Sequence, residues 1–189
     1  MTIPNFITIA RLFAVPFIVW LMIRDLYLLA AIMFALAGIS DAIDGFIAKR
    51  YSQSSELGGY LDPLADKALL VSVFVTLGFK GVLPLWLIML AVSRDMLIVG
   101  AVILAWMVER PQEMRPQWVS KFNTAAQIVL IALALGEQAG VSGFTPLIQI
   151  GVFVVAISTV LSAASYLREW NQHMSEGTIS NPDDEGDGK

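Results

Sequence analysis

The chain has 189 residues, of which 57% are hydrophobic and only 15% charged, with a mean hydropathy of +0.70, a membrane composition rather than that of a soluble core. With no cysteine and a single histidine, His173 in a polar tail, thiolate, disulfide, zinc-finger and Cys–His nucleophile chemistry are excluded, and any metal must rest on oxygen. The net charge of −4 comes largely from acids within apolar segments and in the tail, and no basic stripe points to nucleic acid.

The first segment, about Pro4 to Ile23, is long and apolar enough to span a bilayer, and without a basic leader or small-residue cleavage site it reads as structure rather than a signal peptide. Asn5, Thr8 and Arg11 share one of its faces, either at an interfacial turn from which Arg11 snorkels or at a substrate pocket. After a turn at Arg24 and Asp25, a second span covers about Leu28 to Arg50 and a third about Leu57 to Phe79. A tight turn at Lys80-Gly81 leads to a fourth span, about Leu83 to Val108, with Trp86 and Trp106 near its ends as interfacial aromatics. Its middle reads Ser93-Arg94-Asp95, either a self-neutralising pair or a pocket wall from which Arg94 faces a phosphate; Lys67 divides the same way. A polar loop, Glu109 to Gln117, precedes a fifth span, about Trp118 to Gly136, whose Ser120, Asn123, Thr124 and Gln127 share a face. Those residues are either interhelical glue or, beside Lys121, part of a headgroup site. The sixth span covers about Phe144 to Leu167, with Ser158, Ser162 and Ser165 suited to packing. Residues 1–170 therefore form one membrane domain, and the acidic tail 171–189 is expected to be disordered.

The second and third spans carry the unusual chemistry. Asp41 and Asp44, then Asp62 and Asp66, form two pairs at helical spacing in apolar sequence, where an ionised carboxylate costs a few kcal/mol and usually marks a functional site. The connection from Arg50 to about Leu57 is short and polar, with Ser54, Ser55 and Glu56 suited to starting a helix, so the two spans are expected to run antiparallel as neighbours. The first pair lies six and nine residues before Arg50 and the second five and nine after Leu57, so the depths match and all four acids can share a pocket. Such a set suits Mg²⁺ or Mn²⁺, and two ions would suit phosphoryl transfer. Small residues at Gly45, Ala48 and Gly58 permit either close helix packing or approach of a nucleotide to the backbone; beside four acids the second reading is favoured.

This stretch resembles the signature of the CDP-alcohol phosphotransferases, D-x2-D-G-x2-A-R-x8-G-x3-D-x3-D, matched at Asp41, Asp44, Gly45, Ala48, Gly58, Asp62 and Asp66. Seven such matches arise by chance at on the order of 10⁻⁸ per start point. Lys49 stands where the signature has arginine, followed by Arg50, so either Lys49 serves as a point charge or Arg50 substitutes. The opening N-x2-T-x2-R of Asn5, Thr8 and Arg11 is similar to cardiolipin and phosphatidylglycerolphosphate synthases of this family, which tips the first span toward the pocket. The resemblance implies an all-α integral membrane protein of six helices, with an active site between the second and third at the cytoplasmic side. It implies transfer of a phosphatidyl group from CDP-diacylglycerol to an alcohol with release of CMP. By the same resemblance Asp41, Asp44, Asp62 and Asp66 bind metal, Asp66 is the general base, and Asp44, Gly45, Ala48, Lys49 and Gly58 hold the CDP moiety.

Further stretches, IPNFITIAR, FALAGISDAIDGFIA, LDPLADKALL, VSRDMLIVGAV and SKFNTAAQIVL, look like the cardiolipin synthase branch, which makes phosphatidylglycerol the expected acceptor and glycerol 3-phosphate the alternative. Either acceptor brings a phosphate, for which Lys67, Arg94, Lys121, Arg11 and Asn5 are candidates. Six spans gather Lys49, Arg50, Arg110, Arg115, Lys121 and Arg168 on one side against Arg24 and Lys80 on the other, which makes the first side cytoplasmic. The expected location is a bacterial inner membrane, and homodimerisation is implied by resemblance alone. A cation- or proton-coupled transporter is the rival class, but it should show repeats and midplane acids, and neither is seen.

Overall fold

The computed structural model describes the backbone at residues 3–51, 56–107 and 118–176, and side chains at 10–40, 65, 67–98, 100 and 118–166. Within these residues the fold is all helical: α1 (Ile3–Ile23), α2 (Tyr27–Tyr51), α3 (Glu56–Phe79), α4 (Leu85–Met107), α5 (Trp118–Gln138) and α6 (Thr145–Glu176). The first five agree with the expected spans to within about two residues. The sixth does not: α6 runs on to Glu176, through the first part of the segment expected to be disordered. After Gly151 no glycine or proline occurs before Gly177, so nothing in the backbone chemistry stops the helix at Leu167. The rest of the tail, 177–189, lies outside the described residues, as do the loop at 108–117 and the connection at 52–55.

Each helix packs on the next in the ring α1, α3, α4, α6, α5, α2 and back to α1, and α3 also meets α5 across it. Among the described residues α2 and α3 do not pack on each other; α1 and α5 each pack on both. The expected direct pairing of α2 with α3 concerns residues 41–64, whose side chains are outside the described set.

The hairpins α1–α2, α3–α4 and α5–α6 close with one motif. At the end of α1, Leu26 N donates to Leu21 O at 2.9 Å and Asp25 N to Met22 O at 3.1 Å, around Asp25 at φ 60°. At the end of α3, Val82 N donates to Leu77 O and Gly81 N to Gly78 O, both at 2.9 Å, around Gly81 at φ 72°. At the end of α5, Val141 N and Gly140 N donate to Gly136 O and Glu137 O at 3.1 Å, around Gly140 at φ 95°. A left-handed residue just past the last turn turns the chain so that it satisfies the terminal carbonyls, and glycine takes that conformation without Cβ strain. Asp25 takes it with a side chain. Its carboxylate accepts from Lys80 Nζ at 2.6 Å, and the same ammonium lies 3.4 Å from Ile23 O, so the first hairpin is pinned to the second. The hydrogen bond from Lys80 holds the Asp25 carboxyl below its usual range, and the carboxylate in turn raises Lys80. In the third turn Glu137 accepts from Phe144 N at 2.7 Å and Thr145 Oγ1 at 2.8 Å, fixing the entry to α6.

The exterior is apolar as well as the core, and a few polar residues lie inside. Large apolar side chains face outward, Phe13 at 73% exposure and Phe153 at 64% among many, while Arg11, Arg94, Asn123, Gln127, Ser158, Thr159 and Ser162 are buried. Outward apolar surface of this extent fits a lipid surround, and inward polar residues fit helix association where the hydrophobic effect between helices is weak. Among the described residues, α5 and the first 22 residues of α6 are long and apolar enough to cross a bilayer; Ala10–Ile23, Tyr27–Ser40 and Lys67–Phe79 are shorter apolar stretches.

A Cβ at Gly81 would meet nothing within 4 Å, so Gly81→Ala tests the backbone alone. It should cost about 1–2 kcal/mol, whereas Gly38→Ala, in equally open space on α2, should gain up to about 1 kcal/mol. Thermal midpoints in one detergent read both, and a neutral Gly81→Ala would contradict the turn geometry.

The Asp25–Lys80 pair stabilises through a lowered carboxyl and a raised ammonium. The stability difference between the native protein and Asp25→Asn should therefore stay constant through neutral pH. It should shrink below 3.8, as pH falls through the lowered Asp25 value, and above 10.5, as pH rises through the raised Lys80 value. A series of melts across pH checks the shape.

Candidate active site

Asp41 and Asp44 lie ten and seven residues before the end of α2 at Tyr51, and Asp62 and Asp66 lie six and ten after the start of α3 at Glu56. At a rise of about 1.5 Å per residue, one acid of each helix sits about 10 Å from the helix end and the other about 15 Å. This register suits an all-oxygen donor set for Mg²⁺ or Mn²⁺. The side chains of these four acids, and those of Asn5, Gly45, Ala48, Lys49, Arg50 and Gly58, lie outside the described residues.

The neighbouring turns are described and hold a charged network. Arg94 on α4 is 3% exposed. Its Nη1 donates to Asp95 Oδ1 at 2.8 Å, its Nη2 to Ser120 Oγ at 2.6 Å and to Ser162 Oγ at 2.5 Å, and its Nε to Ser162 Oγ at 3.1 Å. The guanidinium carbon lies 5.9 Å from the Tyr166 ring centroid, a cation–π contact. Lys67 on α3 completes the set, with Nζ 2.7 Å from Asp95 Oδ1. Of the two readings open for Arg94, the self-neutralising pair is the one this geometry favours: the planar fork is directed at Asp95 and at hydroxyls of α5 and α6. Lys67, half-exposed, is held by the same carboxylate.

A second, neutral cluster joins α5 to α6. Asn123 is fully buried, and its Oδ1 accepts from Ser158 Oγ at 2.8 Å and Thr159 Oγ1 at 2.9 Å. The Asn123 Nδ2 and the Gln127 Nε2, one helical turn further on, are buried without a hydrogen-bond partner among the described residues. The polar face of α5 is therefore interhelical glue at Asn123. Lys121, one residue past the Arg94 partner Ser120, is exposed, with its ammonium 5.4 Å from the Trp118 ring centroid. Arg11 is 4% exposed, inside the bundle rather than snorkelling outward.

Sequence reasoning had Ser158 and Ser162 as small packing residues; they are hydrogen-bond partners across helices, as is Thr159. The signal was available, since Ser158, Ser162 and Tyr166 recur every four residues, as Ser120, Thr124 and, offset by three, Asn123 and Gln127 do on α5. Two polar stripes in apolar helices are best matched to each other.

Residues 1–164 match the family model described as CDP-alcohol phosphatidyltransferase. The chain is 33% identical over 189 residues to a Drosophila melanogaster protein named probable cardiolipin synthase (CMP-forming), covering 92% of this chain and 58% of that one. It is 33% identical over 181 residues to the Homo sapiens cardiolipin synthase (CMP-forming), covering 87% and 60%. A Salmonella choleraesuis protein named CDP-diacylglycerol–glycerol-3-phosphate 3-phosphatidyltransferase is 31% identical over 179 residues, covering 87% and 92%. The chain thus spans about three fifths of the length of these two cardiolipin synthases and nearly all of the Salmonella protein.

The network and the neutral cluster should differ in energetic weight. Arg94→Met leaves Asp95 with Lys67 as its one cation among the described residues and should cost about 3 kcal/mol, whereas Ser158→Ala should cost about 0.6 kcal/mol. Thermal unfolding in detergent gives the ranking, and equal effects would show that the charged network carries no special share of the stability.

Proposed function

The chain belongs to the CDP-alcohol phosphatidyltransferase family, and from that premise we propose that it transfers the phosphatidyl group of CDP-diacylglycerol to a hydroxyl of phosphatidylglycerol, giving cardiolipin and CMP. The observation that carries the reading is the pair of acid motifs at matched depth on α2 and α3, supported by relatives named cardiolipin synthase. Glycerol 3-phosphate is the second acceptor, favoured by the near full-length match to the Salmonella protein.

In this reading Asp41, Asp44, Asp62 and Asp66 would hold Mg²⁺ or Mn²⁺, two ions by the family pattern, which supplies charge neutralisation for the pyrophosphate when bound. Asp66 takes the proton from the acceptor hydroxyl, whose oxygen attacks the diacylglycerol-side phosphorus while the bond to the CMP oxygen breaks. Gly45, Ala48 and Gly58 leave room for the nucleotide beside Asp44, and Lys49 offers a point charge to a phosphate. Lys121, Arg11 and Asn5 are the candidates for the acceptor phosphate; Lys67 and Arg94 act through Asp95. The six helices span a bacterial inner membrane, with the acids near the cytoplasmic face and the enzyme a homodimer. The last of these rests on resemblance alone.

Purified protein supplied with CDP-diacylglycerol and phosphatidylglycerol should release CMP and form cardiolipin with Mg²⁺ or Mn²⁺ and not in EDTA, and the same assay with glycerol 3-phosphate, followed as phosphatidylglycerolphosphate, should show little turnover. Asp66→Asn should lower kcat by ~10²- to 10⁴-fold with little change in affinity for CDP-diacylglycerol. Asp41→Asn should be partly rescued by high Mn²⁺. Activity undiminished by chelator would overturn the metal reading, and turnover of glycerol 3-phosphate alone would overturn the acceptor.

A further inference from the structure

We infer that Asp95 is a positioning residue for the reaction: its carboxylate fixes the turn of α3 that carries Asp66 against the turn of α5 that carries Lys121. The inference rests on the reading of Asp66 as the base. One oxygen, Asp95 Oδ1, accepts both Lys67 Nζ at 2.7 Å and Arg94 Nη1 at 2.8 Å. Lys67 directly follows Asp66, and on the other side of Asp66 the side chain of Ala65 is packed away at 2% exposure. Held between a buried alanine and a tethered lysine, this turn of α3 has little freedom to rotate about the helix axis. The other arm of the same oxygen runs through Arg94 to Ser120, next to Lys121, and to Ser162 on α6. Four helices are thus indexed to one carboxylate, itself on a helix that carries none of the signature acids.

The energetics make this an effective tether. Two cations on one carboxylate oxygen, with the carboxylate side chain only 12% exposed, form charge-assisted bonds that are shorter and stronger than neutral ones. A base must lie within hydrogen-bond reach of the hydroxyl it deprotonates, and a misplacement of about 1 Å can lower a rate by about 10². Asp95 touches neither substrate nor reacting atoms in this scheme. Its effect is on where Asp66 stands.

Four variants test it: Asp95→Asn, which keeps the shape but drops the charge; Lys67→Met, which removes only the α3 arm at a half-exposed position; the double variant; and Asp95→Glu. Each is first checked for a monodisperse, cooperatively melting protein, and kcat and KM for both substrates are then measured beside Asp66→Asn. We expect kcat to fall about 10- to 100-fold in Asp95→Asn and in Lys67→Met, with both KM values within about twofold. The double variant should be no slower than the slower single, because both changes cut the same tether. Asp95→Glu, which keeps the charge, should recover part of the loss. If Asp95→Asn does not fold, Lys67→Met alone decides. Full kcat in Lys67→Met, multiplicative losses in the double variant, or a raised acceptor KM in Lys67→Met overturns the inference, the last by making Lys67 a substrate ligand. Should Asp66→Asn keep full kcat, the base assignment has failed and the inference falls with it, whatever Lys67→Met shows.

Discussion

Inside a helical bundle with an apolar exterior there is no bulk water to serve a polar group, so a buried charge or hydrogen-bonding group is costly unless another from the chain meets it. Much of the arrangement of α3 to α6 follows from that constraint. Arg94 would be prohibitively placed on α4 by itself; with Asp95, Ser120 and Ser162 around it, it becomes the point at which three helices are indexed, and Lys67 adds the fourth. The neutral contacts of Asn123 with Ser158 and Thr159 do the same for α5 and α6 at lower strength. The apolar layer between and around them, with Leu77, Leu87, Ile131 and Val155 fully buried, supplies contact but little directional information.

The same constraint separates the two halves of the proposed chemistry. In the proposed reading the metal-binding acids sit on α2 and α3, whereas Lys121, exposed beside the Trp118 ring, sits on α5. On that reading a donor lipid and an acceptor that each bring a phosphate approach different walls, and phosphatidylglycerol and glycerol 3-phosphate offer the second wall the same charged group.

Much of this was legible in the sequence because hydrophobic length and helical spacing are local properties. Five helices begin and end close to where apolar runs and the turns at Arg24-Asp25 and Lys80-Gly81 place them, and the acid spacing marks α2 and α3 without reference to anything distant. The ring order was not legible, since which helix lies beside which depends on pairings among distant segments. The partner of Arg94 was half legible: Asp95 is its neighbour in sequence, but Ser162 is 68 residues away. The end of α6 is not legible from polarity, because a polar stretch without glycine or proline, as in Leu167 to Glu176, can extend a helix that the preceding apolar turns have already nucleated.

The pin between Asp25 and Lys80 has a mechanical meaning as well as an electrostatic one. It joins the hairpins α1–α2 and α3–α4 at their turns, fourteen residues along α3 from Asp66, which at the helical rise is a lever arm of about 21 Å. A swing of about 3° about such a pivot displaces the far point by about 1 Å, roughly the tolerance within which a proton acceptor must stand. With Asp66 as the proposed base, a surface ion pair worth little as a contributor to stability would bear on aim, much as the rivet of a pair of tweezers, which grips nothing, decides whether the tips meet.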